Sequence, residues 1–336
     1  MTVLVFSLCS TASGLAGGFA GLLAARMMMG VAEGPILPIA QSIMAAESSP
    51  ARRGLNMGIL QALGAAVLGS FLAPLVLVSL AETHGWRSAF LLAGVPGVVL
   101  ALCLALWLRE PPLPRAEVAS VARPRLAELL KHRNLLLCVA ISICLVGWMI
   151  IGWVFLPLYY VQVRGFRPGD MSIVMSAMGV AAGLFGAFIG PALSDRFGRR
   201  PLIVVLSFTG LGAPLVALFL HAPLAVMATA TFVGWGAAGA LAMAMATVPA
   251  ESLPAGSVAT AIGLTQGTGE IVGGVIAPVL AGLAGDAWGL QAPLLVAAAL
   301  AGAAGLIALF LTETAPRVTG ATGFGTPVAV LGDSHS

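Results

Sequence analysis

Charge is what this sequence most conspicuously lacks. Only 9% of its 336 residues are Asp, Glu, Lys or Arg, against about 25% in soluble domains. A globule in water keeps much of its surface wettable with charged side chains, so a soluble fold is excluded. Metal-ligand patterns are missing as well. The 4 cysteines (Cys9, Cys103, Cys138, Cys144) and the 4 histidines follow no zinc-type spacing. The cysteines lie inside apolar runs and read as small buried hydrophobes, and no metal site is expected. No phosphate loop, H-E-x-x-H, G-x-S-x-G or convergent Ser/His/Asp set is present. The chain is therefore read as no enzyme, with no cofactor, and it leaves no room for the soluble nucleotide domain of an ATP-driven pump. The net charge of +3 is small and gives no reason to expect a nucleic-acid partner. No cleavable signal peptide is expected, because the first apolar segment is long and carries no basic stretch.

What is present is hydrocarbon. Hydrophobic residues make up 59% of the chain, and its mean hydropathy is +1.03. One bilayer crossing takes about 20 residues of helix. Apolar runs cover 2–18, 19–45, 57–81 and 88–108, then 135–161, 171–193, 202–220, 224–248, 257–285 and 292–311. Strands that cross a membrane alternate polar and apolar residues, and these runs do not. The expected fold is an all-α integral membrane protein of about ten transmembrane helices, four and then six. Its parts are an incomplete N-terminal bundle over 1–108, a cytoplasmic central loop over 109–134, a six-helix C-terminal bundle over 135–312 and a cytoplasmic tail over 313–336.

The basic residues orient it. With alternate crossings, 12 of the 16 fall on one side: Arg52, Arg53, Arg109, Arg115, Arg123, Arg125, Lys131, Arg133, Arg196, Arg199, Arg200 and Arg317. The other side holds Arg87, Arg164 and Arg167, and Arg26 alone lies within a run. Positive loops stay inside, so both termini are placed in the cytoplasm of an inner (plasma) membrane protein. In the central segment Pro111, Pro112, Pro114 and Pro124 prevent one continuous helix, and it reads as a solvated linker. The tail from Thr319 is rich in Gly, Thr and Ser and is read as disordered.

One short loop carries specific information. Asp195-Arg196-Phe197-Gly198-Arg199-Arg200 joins the second and third runs of the six-run group, where a tight turn needs a residue such as Gly198 that tolerates positive φ. This D-R-x-G-R-R loop resembles the signature loop of the major facilitator superfamily, whose members are built from repeated helical bundles. The resemblance implies two bundles of six spans joined by a long cytoplasmic loop. It also implies a conformational lock, in which Asp195 meets a helix N-terminus of the same half, here the one beginning near Ser257. The glycine that the family places four residues before the acid is Pro191 here, with Gly190 one place earlier. Against the family's twelve spans, the resemblance further implies that the chain is N-terminally truncated, with the first two spans missing.

Two acids and one base lie at membrane depth. Arg26 and Glu33 are seven residues apart in Arg26-x-x-x-Gly30-x-x-Glu33-Gly34-Pro35, on one helix face and about 10 Å apart along the axis. Buried charges of this kind face a cavity or a partner, and Gly34, Pro35 and Pro38 loosen the backbone beside Glu33. The pattern resembles the corresponding span of the anion:cation symporter branch of the superfamily. There the Arg assists an anionic substrate and the Glu takes up the driving proton. Glu270, preceded by Gln266, is the one mid-depth charge of the second group, able to be neutral in one state and charged in another. It reads as a second proton site or substrate contact, or as a structural hydrogen-bonding group. Trp148 and Trp153 are candidates to line the substrate path, whereas Tyr159 and Tyr160 read as an interfacial aromatic belt. Gln41 and Gln61 are weaker candidates. Glu47, Glu251, Arg52 and Arg53 lie at cytoplasmic helix ends and read chiefly as solvated surface, with a gating or loop-locking role as the alternative. Gly263-x-x-x-Gly267, Gly269-x-x-x-Gly273 and Gly186-x-x-x-Gly190 are generic signals for close helix packing.

Together these readings describe a secondary carrier that works by alternating access and couples protons to uptake of a small organic anion, with the lipid bilayer as its other partner. Two alternatives stay open. One is a drug:proton antiporter of the same superfamily, whose G-P-x-x-G-G element is absent from the segment Gly64 to Pro74. The other is a non-transporting remnant or membrane sensor.

Overall fold

The computed structural model describes residues 2–34, 71–107, 126–253 and 257–315, together with Ile36, Ala40, Ile43, Gly69 and Val318. Every regular element among the described residues is helical. In chain order the apolar helices are α1 (Thr2–Leu15), α2 (Phe19–Glu33), α3 (Ala73–His84) and α4 (Trp86–Trp107). After a one-turn helix at Leu126–Leu129 come α5 (Arg133–Gln162), α6 (Pro168–Phe197), α7 (Arg199–Phe219), α8 (Leu224–Ser252), α9 (Thr260–Trp288) and α10 (Gln291–Ala308). The last seven, α4 through α10, are long and apolar enough to span a bilayer. α1 is a shorter apolar helix of 14 residues, and the expected runs at 19–45 and 57–81 extend into residues outside the described set.

Each corner has a local cause. Gly85, Gly165, Gly198 and Gly289 all adopt positive φ (84°, 72°, 101° and 85°), a region that L side chains rarely enter. They separate α3 from α4, α5 from α6, α6 from α7 and α9 from α10. Three helices also loosen within their length, through π-helical turns at Leu184–Ile189 in α6, Met243–Thr247 in α8 and Gly269–Ile276 in α9.

The chain divides into two contact units. The first comprises Met1–Ala119, Pro157–Gly183 and Ala222–Phe232. Within it α1 lies against α4 through small residues: a Cβ on Gly94 or Gly97 would collide with Thr11 or Ser7. The hydroxyls there are satisfied inside α1, Ser7 donating to the Val3 carbonyl at 2.7 Å and Thr11 to that of Ser7 at 3.1 Å. Helices in lipid gain little from the hydrophobic effect and associate through such close packing.

The second unit comprises Ser120–Leu156, Leu184–His221 and Val233–Ser336. Its core joins Cys138, Ile141, Leu145 and Val146 of α5 to Ile203 and Leu206 of α7, Ala240 and Met243 of α8, and Ala304 and Ala308 of α10. Alanines on α8 and α10 face branched side chains on α5 and α7, so large residues fill the space that small ones leave. The opposite pattern covers α9, where Ile271, Val275 and Leu283 each remain 62% exposed.

Candidate functional site

In the first unit, Arg26 and Glu33 are both exposed on α2, and neither is sealed in dry packing. The Arg26 guanidinium carbon stands 4.7 Å from the centroid of the Phe90 ring on α4, a cation–π contact worth about 0.5–1 kcal/mol when exposed. Phe90 meets Trp86 edge-on at 5.8 Å, and Arg87 covers the Trp86 ring at 4.4 Å. Two cations thus bracket an aromatic pair. No ion pair joins Arg26 to Glu33 among the described residues. Glu33 ends α2, where the Gly34 N–H donates to the Gly30 carbonyl at 3.2 Å. Among the described residues nothing lies within 4 Å of where a Gly30 side chain would stand. Pro35, Pro38, Gln41, Glu47, Arg52, Arg53, Gln61 and the segment from Gly64 to Leu68 fall outside the described residues, as do most of the central loop and the tail.

In the second unit, α9 presents two glycine faces with different fates. Gly269 and Gly273 press against α5, where a Cβ on Gly269 would stand 3.3 Å from Ser142 Cβ and one on Gly273 would collide with the Ile143 carbonyl. Among the described residues Gly263 and Gly267 meet nothing within 4 Å, and Gln266 and Glu270 are exposed beside them. The Glu270 carboxylate lies over Gly274, 3.1 Å from where its Cβ would be. It projects from the π-helical turn, a distortion that recurs at functional sites. The third glycine pair also packs: Gly190 sits so close to Gly239 of α8 that a Cβ would stand 3.1 Å from its Cα. Close approach at this corner is met by Gly190, one residue ahead of Pro191.

Trp148 is fully buried, and its indole N–H donates to the Gly210 carbonyl at 2.9 Å, at the turn that interrupts α7. Its ring lies 4.7 Å from that of Trp235, which Trp153 meets edge-on at 5.7 Å. Trp235 escaped notice in the sequence, although Gly152 betrays it from α5: any side chain there would collide with the Trp235 ring. Trp153 is half-buried. In the first unit, Tyr159 and Tyr160 are buried rather than belted around the surface, Tyr160 meeting Phe166 edge-on at 5.6 Å.

The D-R-x-G-R-R loop is the most connected polar cluster of the second unit. Arg199 pairs with Asp195 at 2.7 Å and with Glu251 at 2.9 Å, and it donates to Ser194 Oγ. Glu251 also accepts from the Thr314 hydroxyl at 2.7 Å. The N-terminus of α7 is capped from far along the chain: the Glu313 carboxylate accepts from the backbone N–H groups of Arg199 at 2.7 Å and Arg200 at 3.1 Å. Gly198 makes room, because a Cβ there would stand 2.6 Å from Glu313 Oε2. At this corner, among the described residues, Asp195 pairs with Arg199, and the acid that meets the N-terminus of α7 is Glu313. Nothing in the sequence singles out Glu313, and of the two readings of Glu251 its 7% exposed side chain fits the loop-locking one better than solvated surface. Arg196 lies over the neighbouring Phe197 ring at 5.4 Å.

A lone cation and lone acids on open faces of apolar helices can hold an anion and exchange a proton, and a helix corner tied by three acids can hold one arrangement of helices. The family model described as Major Facilitator Superfamily matches residues 1–190 and 153–332. The chain is 26% identical to a probable sulfoacetate transporter of Cupriavidus necator over 92% of its own length and 76% of the relative's. It is 29% identical to the 3-(3-hydroxy-phenyl)propionate transporter of Escherichia coli, over 84% of this chain and 68% of that one. With a probable 4-methylmuconolactone transporter of Cupriavidus pinatubonensis it shares 28% identity, over 81% of this chain and 64% of the relative. In fold it resembles a bacterial homologue of the human lysosomal transporter Spinster in an inward-facing, occupied conformation, with a TM-score of 0.72 and 18% identity over 92% of this chain and 80% of that one. The Escherichia coli fucose:proton symporter aligns with a TM-score of 0.58 and 15% identity over 93% and 84% of the two chains.

Proposed function

The chain belongs to the Major Facilitator Superfamily, and from that membership we propose that it is a proton-coupled carrier of a small organic anion, working by alternating access. It is an all-α, multi-pass membrane transporter and no enzyme. The observation that carries the finer reading is the pairing of Arg26 with Glu33 on one apolar helix, both with exposed polar heads and neither neutralised by the other. A charge at bilayer depth costs several kcal/mol unless water or a partner receives it, so the pair supports a wet passage beside α2. The names of the relatives support the anion. Sulfoacetate carries a sulfonate and a carboxylate, and 3-(3-hydroxyphenyl)propionate carries a carboxylate on an aryl chain.

In this mechanism Glu33 takes a proton while the passage faces out, which lets the anion settle against Arg26, and releases it when the passage faces in. Glu270, with Gln266, offers a second proton or substrate contact. Trp153 lines the path, and Trp148 backs that helix. Asp195, Arg196, Gly198, Arg199 and Arg200 hold one arrangement of helices until the cycle moves on. Four spans, the central loop and six spans make up the chain, with both termini in the cytoplasm of the inner membrane.

The test is uptake into liposomes under an imposed proton gradient, with labelled sulfoacetate and 3-(3-hydroxyphenyl)propionate as probes. The native chain accumulates a probe uphill. Glu33→Gln exchanges it across the membrane without accumulating it, and Arg26→Ala raises the half-saturating concentration. Undiminished uphill uptake by Glu33→Gln would overturn the coupling role.

A further inference from the structure

One contact within the first unit joins helices from the two groups of spans. Glu82, near the end of α3, accepts a hydrogen bond from the Gly169 N–H at 2.9 Å. Gly169 is the second residue of α6, so a carboxylate from α3 sits on the positive end of a long helix, where charge and hydrogen bond act together. The absence of a side chain leaves the space: a Cβ on Gly169 would stand 3.4 Å from Glu82 Oε2. Further along the same antiparallel interface the Ser176 hydroxyl donates to the Phe71 carbonyl at 2.9 Å. Seven residues of helix separate the two contacts on α6, about 10 Å. Arg167, close by in sequence, is held by Asp170 at 3.3 Å. All of these groups lie within one contact unit.

α3 belongs to the first four spans and α6 to the last six. By the distribution of basic residues, the end of α3 and the start of α6 lie on the non-cytoplasmic side. Rocking of one group against the other must part contacts on one face whenever the passage opens there. We propose that Glu82 is the latch of the non-cytoplasmic face: its carboxylate on the N-terminus of α6, seconded by Ser176 on Phe71, holds that face shut and must let go for the passage to open outward. The inference rests on the alternating-access reading given above. Its chemistry suits a latch. Glu82 is exposed, so water replaces the Gly169 N–H at little cost, and the contact makes and breaks within a transport cycle.

The test is the distance between nitroxide labels on the full chain in lipid nanodiscs, with the native cysteines replaced and His84→Cys and Ile173→Cys carrying the labels. Both sites are exposed. The native chain shows a dominant short distance and a minor long one. Glu82→Gln keeps an acceptor but loses the charge, and raises the long-to-short ratio roughly 2- to 5-fold. Glu82→Ala raises it further, and Ser176→Ala raises it roughly 2- to 10-fold by removing one hydrogen bond. Melting temperatures stay at the native value, as they would not if these residues merely held the fold together. A native chain that visits both distances while all three variants keep its ratio overturns the latch and leaves alternating access standing. One fixed distance in every variant overturns both.

Discussion

Arg199 and Glu251 form an ion pair of 2.9 Å in which the two side chains keep only 10% and 7% of their exposure. Asp195, the second acid on the same guanidinium, is 59% exposed. The inner acid lies 52 residues away in sequence, at the end of α8, and also receives the Thr314 hydroxyl. A corner of short-range motif residues is thus fixed to two other helix ends by a charge that has left water.

Removing one partner of such a pair strands the other. Breaking a buried ion pair costs about 3–5 kcal/mol, and the remaining bond to Asp195 keeps the loss near the lower end. Glu251→Ala is expected to destabilise the chain by about 3 kcal/mol, seen as a lower melting temperature in detergent. Asp195→Ala, at an exposed pair, is expected to shift stability by about 1 kcal/mol or less. Equal losses in the two variants would show that burial of Glu251 carries no weight.

Glu313 does the work of a helix cap from 114 residues away. Loss of a good cap costs about 0.5–2 kcal/mol, and Glu313→Ala is expected to fall in that range by thermal denaturation. Glu313→Gln keeps the reach and an acceptor but loses the charge at the helix N-terminus, so a loss of about 0.3–1 kcal/mol is expected. A variant as stable as the native chain would show that water caps α7 equally well.

The elements legible in the sequence are those whose cause is local. A run of about 20 apolar residues has to be a helix in lipid, and the α4 to α10 spans follow the runs closely. Gly198 turns its corner for the reason its loop suggested, at φ 101°. Helix contacts were legible only in kind. The three small-residue pairs look alike in sequence, yet Gly269 with Gly273 and Gly186 with Gly190 pack against neighbours while Gly263 with Gly267 faces open space, because periodicity names a face without naming what covers it. The cap from Glu313 and the Trp235 ring against Trp148 join positions far apart in sequence, where no spacing rule reaches. Tyr159 and Tyr160 illustrate the same limit: an aromatic near a helix end fits a belt or a buried joint equally well until its neighbours are known.

Trp148 offers a way to separate a structural role from a solute contact. Its N–H is bound to the Gly210 carbonyl at full burial, and an unsatisfied buried group costs about 1–3 kcal/mol. Trp148→Phe is expected to lower stability by that amount and leave the half-saturating concentration of a transported probe unchanged. Trp153→Phe, at a half-buried ring, is expected to change the half-saturating concentration with little change in melting temperature. A Trp148→Phe variant with native stability and altered affinity would move Trp148 into the substrate path.

The two glycine faces of α9 make opposite predictions for one substitution. At Gly273 the added methyl of Gly273→Ala meets the Ile143 carbonyl and stands 2.9 Å from the Gly147 nitrogen. Both are backbone atoms that cannot rotate away, so α5 and α9 must part. Overpacking of this kind costs about 1–3 kcal/mol. At Gly267 the same methyl meets nothing within 4 Å among the described residues, and replacing glycine by alanine within a helix gains about 0.5–1 kcal/mol of stability. Gly273→Ala is therefore expected to lower the melting temperature and Gly267→Ala to leave it level or raise it. The Gly267 variant also reports on function. If Gln266 and Glu270 line a wet passage, a methyl beside them narrows it, and transport falls while stability does not. A fall in both at Gly267 would mean that its face is packed against another helix, and the open polar stripe on α9 would no longer support a role for Glu270.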